Sequence, residues 1–119
     1  MFINLSNHPS SKWSKEQTEA ALRYGEIIDL PFPMVAPDGN EDYIAALAEQ
    51  YCDKVIELAA GAPVTVHLMG EMTFTFALVK RFHGKGICCV AATTERVVKE
   101  VNGEKTSVFN FVKFRAYEG

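Results

Sequence analysis

The stretch Gly70–Lys80, GEMTFTFALVK, admits two readings, and the choice between them decides the fold. Met72, Phe74 and Phe76 alternate with Thr73 and Thr75, as on a half-buried strand. Yet Phe74, Leu78 and Phe82 recur every four residues, as on one face of a helix. Gly70 alone is poor hairpin chemistry, since a two-residue turn calls for Asn-Gly or its kin. The run from Met72 to Phe82 is long for a strand, and it closes on Lys80, Arg81, Gly84, Lys85 and Gly86, a helix C-terminal signature. It reads as a well-buried helix, entered from the strand VTVHLM through Gly70 and Glu71.

Working outward, the N-terminal MFINLS is a short apolar strand that breaks into the polar loop Ser6–Ser11. Ser14 with Gln17 forms a capping box that opens a helix running to Tyr24, ended by Gly25. EIIDL is a second strand. It is stopped by PFPMVAPDGN, whose three prolines force an extended loop. From Glu41 to Ala60, capped by Asn40, apolar residues keep helical spacing over five turns. ICCVAATT is the fourth strand. ERVVKEV and SVFNFVKF are then joined by Asn102-Gly103, the strongest short hairpin signal. Strands alternating with helices predict a three-layer α/β domain spanning residues 1–119. Its core, residues 1–94, holds a mainly parallel four-stranded sheet with three helices, and residues 95–117 form a C-terminal antiparallel β-hairpin.

A chain of 119 residues is large enough for a core of its own, and no run of apolar residues approaches membrane-spanning length. The N-terminus lacks a signal-peptide pattern, so a cytoplasmic location is expected. Three cysteines without CxxC spacing argue against a disulfide framework or zinc site, and are expected to be reduced and buried. A net charge of −3 disfavours binding to duplex nucleic acid but leaves room for a small anion at a local site. No cofactor and no metal are expected.

In open parallel sheets, ligands bind beyond the carboxyl ends of the strands. Three polar loops leave those ends. The first offers Ser6, Asn7, His8, Ser10 and Ser11, the second Gly70, Glu71, Met72 and Thr73, and the third Thr94 and Arg96. Amides opening the third helix suit a phosphate, and Gly70 would let a ligand approach the backbone. A plainer alternative is that Gly70 ends a strand and Thr73 caps the helix. His8 offers a base or donor near neutrality. His67 reads as a hydrogen-bonded core residue, and His83 as surface. Arg96 is the one arginine in the three loops, either a phosphate fork or a solvated strand residue. Aromatics interleave with Lys113 and Arg115 in FNFVKFRAY, and a hairpin edge packing on a neighbour or a second subunit explains them as well as base stacking does. Glu26 and Asp29 show no spacing that would make a carboxylate pair.

INLSNHPSSKWSKEQ, HLMGEMTFTFALVKRFHGKGICCVAATTER and SVFNFVKFRAY together resemble small CRISPR-associated proteins, stand-alone versions of the CARF (CRISPR-associated Rossmann-like fold) domain. The resemblance spans essentially the whole chain, most distinctively ATTER and the closing hairpin. It implies a Rossmann-like homodimer that binds cyclic oligoadenylate and, as a ring nuclease, opens it by metal-independent 2′-OH attack. His8 and Ser6 would be catalytic. Asn7, Ser10, Ser11, Gly70, Glu71, Met72, Thr73, Thr94 and Arg96 would contact the ligand. The absence of a lysine before Lys12 departs from a basic-loop mechanism. Two alternatives are a non-catalytic sensor or sponge for the same ligand, and a module docking a larger defence effector through the aromatic hairpin.

Overall fold

In the computed structural model, which describes residues 1–119, the chain runs β1 (Phe2–Ser6), a 3-10 turn (Ser10–Lys12), α1 (Lys15–Leu22), β2 (Ile27–Asp29), α2 (Glu41–Ala59), β3 (Thr65–Met69), α3 (Met72–Gly84), β4 (Cys88–Val101) and β5 (Glu104–Ala116). The helix starts arise from local chemistry. Ser14 Oγ accepts from the Gln17 amide at 3.2 Å and Asn40 Oδ1 from the Tyr43 amide at 3.0 Å, each occupying a donor that the first turn leaves open. From Met72 on, the Gly70–Lys80 stretch resolves as helix: Phe74, Leu78 and Phe82 are buried along one face of α3, with Thr75 beside them.

The sheet order is β2-β1-β3-β4-β5, with the first four strands parallel and β4–β5 antiparallel. Alternation across the pleat splits the apolar residues into two cores. Ile3, Leu5, Val66, Leu68 and Cys89 pack with α2 and α3 on one face. Phe2, Val90 and Phe114 pack with Ala21 of α1 on the other. Helices on both faces of one mixed sheet make the three layers.

The expected strand count is corrected. ICCVAATT and ERVVKEV are not two strands but one: β4 is continuous over 14 residues, and the sheet has five strands. No glycine or proline interrupts Ala92–Arg96, so the backbone stays extended while burial alone changes, from buried Val90 to exposed Thr94. The ladder shifts register between Thr93 and Thr94, where Val112 is the extra residue on β5. The Asn102-Gly103 turn closes the hairpin with both residues at positive φ (52° and 81°), as its two-residue type requires.

Cys52 and Cys89 are buried, but Cys88, against expectation, is exposed; all three are free. No helix is long and apolar enough to cross a membrane.

Candidate functional site

The chain leaves β1 for β2 on one side and returns past it to β3 on the other, so the strand order reverses between β1 and β3. That is where open α/β sheets form a ligand crevice. Ser6 and Met69 are register partners there, so the first loop and the Gly70 loop leave neighbouring strands at one level.

The first loop is organised by a residue the sequence reading passed over. Asn4 is 2% exposed inside the apolar run FINLS, and all its hydrogen-bonding groups are used. Its Nδ2 donates to the His8 carbonyl at 2.8 Å and to Asp29 Oδ1 at 2.9 Å. Its Oδ1 accepts from Ser6 Oγ at 2.7 Å and meets His67 Nδ1 at 2.9 Å. Asp29, at the end of β2, also accepts from Ser10 Oγ at 2.9 Å and from the Ser10 amide at 3.2 Å. Ser6 Oγ in turn accepts from the His8 amide at 3.2 Å. The loop is therefore tied down at both ends. The side chains of Asn7 and His8 stay exposed, as does that of Ser11. Beside it lies a cavity of about 280 Å³ lined chiefly by Asn4, Ser6, Asn7, Asp29 and Phe32.

His67 behaves as the core residue it was expected to be. It lies stacked on Phe2, with Trp13 and Phe114 edge-on at 5.5 and 5.3 Å between centroids. Burial, with a smaller push from His8, lowers its pKa to about 4. The neutral ring must carry its proton on Nδ1 to bond the Asn4 carbonyl oxygen, and Nε2 has no hydrogen-bond partner.

The second loop differs from expectation in two respects. The α3 amides of Thr73 and Phe74 are not open to a ligand: the Glu71 carboxylate accepts from them at 2.8 and 3.0 Å, and from Thr73 Oγ1 at 2.8 Å. The Thr73 hydroxyl first, then the two amides, hold the Glu71 carboxyl below the usual carboxylate range. Glu71, not Thr73, is the cap. Nor is the space over Gly70 open: a Cβ there would collide with the Phe32 ring, which packs edge-on against Phe74. Met72 is 84% exposed at the helix start.

Thr94 and Arg96 stand farther out. Since His67 pairs with Val90, Met69 is level with Ala92, and Arg96 lies four residues beyond it. That is about 13 Å along the strand at 3.3 Å per residue. Its guanidinium donates to Ser107 Oγ at 3.0 and 3.2 Å across the hairpin. One chain thus unites Ser6, Asn7, His8 and Ser10 with Asn4 and Asp29, sets Gly70–Thr73 beside them, and keeps Arg96 apart.

Asn4 and Asp29 are the residues that sequence reasoning missed. A polar side chain within a buried strand was the available signal for Asn4, and a position at a strand's carboxyl end the signal for Asp29. Burial raises the thiols of Cys52 and Cys89, the latter to about 12, so neither is a nucleophile near neutrality. No three His, Cys, Asp or Glu side chains are grouped to hold a metal ion.

The model of the family described as Uncharacterized protein MJ1673 family matches residues 1–115. No curated protein and no solved structure matches the chain.

Proposed function

The chain belongs to the uncharacterized protein MJ1673 family, and we propose that it binds a cyclic oligoadenylate at the carboxyl rim of its parallel strands and opens the ring. The observation that carries this reading is the tied-down first loop, which leaves the Asn7 and His8 side chains exposed at the strand-order reversal and sets Asn7 on the rim of the cavity toward β2. The resemblance to small CARF proteins supplies the ligand class.

Opening needs no external nucleophile. A ribose 2′-OH attacks the adjacent phosphorus and gives its proton to His8. The P–O5′ bond breaks as the leaving oxygen takes a proton from water, giving a 2′,3′-cyclic phosphate on one side and a 5′-hydroxyl on the other. Positioning the attacking and leaving oxygens in line is the main requirement. A loop fixed by Asn4 and Asp29 suits that task. Ser6, its hydroxyl already bonded to Asn4 and to the His8 amide, holds His8 in place.

The test is incubation with cyclic tetra- and hexa-adenylate in EDTA, with the products resolved by chromatography. Linear products ending in a cyclic phosphate are expected, and His8→Ala should slow their formation roughly 10²–10⁴-fold, the range for loss of a general base. Rings left intact at stoichiometric protein overturn the catalytic reading.

One observation favours a second reading, binding without turnover. The Glu71 carboxylate already occupies the α3 amides that would have stabilised phosphate charge. A sensor or sponge of this kind would show a large thermal shift with the ring and release no product.

A further inference from the structure

Beyond Thr93 and Val112, β4 and β5 leave the body as a two-stranded ribbon, and none of residues 94–113 is buried. A ribbon of two strands is marginal in water without something packed on it. The chain has a surface surplus to match. It exposes 7746 Å², against about 6,400 Å² expected for a compact monomer of its mass. The surplus of about 1,300 Å² exceeds the roughly 800 Å² that a standard interface takes from each partner. The radius of gyration tells the same story, at 15.9 Å against about 13.5 Å for a compact chain of this length.

The two faces of the ribbon differ. Residues paired across the ladder share a face, so Arg96 sits with Phe109, Val98 with Ser107, and Glu100 with Lys105. This face holds Phe109, 65% exposed, and Val98, 55% exposed. The opposite face has no aromatic side chain between Glu95 and Asn110. Aromatics are what interface cores favour. The order along the aromatic face is also self-complementary. Arg96 lies two residues to one side of Val98 and Glu100 two to the other, so two copies laid antiparallel face to face bring each Arg96 to the partner's Glu100 and each Lys105 over the partner's Phe109.

We propose that the β4–β5 ribbon is a dimerisation arm, whose Phe109–Val98 face packs antiparallel on the same face of a second copy of this chain. The contact is isologous and closes on itself, so it yields a dimer and not a filament. It stands apart from the ligand reading, because it rests on surface and residue order alone.

The experiment is sedimentation equilibrium of the ligand-free chain across micromolar concentrations. A mass twice the 13.2 kDa of one chain is expected. Phe109→Ser, at an exposed position outside both cores, should return the single-chain mass with an unchanged circular dichroism spectrum. Arg96→Glu should weaken the dimer about tenfold by placing like charges opposite, and Arg96→Glu/Glu100→Arg should restore it. A wild-type chain at single mass up to about 50 μM overturns the proposal, since a standard-size interface holds more tightly than that. So does a dimer indifferent to Phe109→Ser, and so does a charge swap that fails to restore association. Cyclic oligoadenylate binding plays no part in these measurements, so its absence would leave the dimer untouched.

Discussion

Asn4 carries more of the rim than any residue named for chemistry. Four groups depend on it: the His8 carbonyl, Asp29, Ser6 and His67. Asn4→Ala would strand the His67 Nδ1–H in the interior and leave Ser6 Oγ only the His8 backbone to bond. A buried donor without a partner costs about 1–3 kcal/mol, so a loss of that order in urea denaturation is expected, with the first loop released. His67 gives a second prediction with a definite sign. Its pKa is about 4 in the folded chain and about 6.5 unfolded. The unfolded state therefore takes up a proton first as pH falls. The stabilisation is complete above about pH 6.5 and is lost progressively down to about pH 4, by about 3 kcal/mol in all. Urea midpoints of wild type should fall more steeply over that window than those of His67→Gln; parallel curves would show that His67 is not the titrating group. His67 could be read from the sequence because a histidine inside a β-branched run has to be satisfied internally. The place of Asp29 at a strand's carboxyl end could be read as well, but its partners could not, because Asn4 and Ser10 lie on other segments and only the parallel pairing Asn4↔Asp29 brings them together.

At the scale of elements, periodicity served well where both helix and strand had room to express it. The four-residue recurrence of Phe74, Leu78 and Phe82 marked α3, and Ser14 and Asn40 cap their helices as their side chains suggested. What sequence spacing could not reveal was which acceptor takes the α3 amides. Glu71 is long enough to fold back onto Thr73 and Phe74, and its charge suits the positive end of the helix. Glu71→Ala should cost about 1 kcal/mol of stability, the usual worth of a cap. If a ligand phosphate competes for the same amides, that variant should also bind cyclic oligoadenylate more tightly, as measured by calorimetry; unchanged affinity would place the phosphate elsewhere. Gly70 is the matching case for packing. Gly70→Ala pushes the Phe32 ring off Phe74 and should cost about 1–3 kcal/mol, as overpacking does. β4 was misjudged for a related reason: a switch from apolar to polar residues at Thr93–Arg96 marks where the body ends, not where the strand does.

For the whole molecule, the cores and the ribbon make separable contributions. Every residue in the two buried clusters lies at or before Val90, save Phe114 at the base of β5. A chain in which a two-residue Asn-Gly turn replaces residues 96–109, joining Glu95 directly to its ladder partner Asn110, keeps all of them. The shortened body should therefore fold. Its response to concentration is the informative quantity. Anything that binds only the native state raises Tm by mass action, and for a dimer the binding partner is the chain itself. With an unfolding entropy of about 2.1 cal/mol/K per residue, a dimer of this size should gain about 3 °C in Tm per tenfold rise in concentration. Wild type should show that slope in scanning calorimetry, and the shortened chain a flat line. A flat line for both means that the ribbon stands alone in solution and its exposed phenylalanine face serves no second copy. A slope for both means that the chains associate through the body and not through the ribbon.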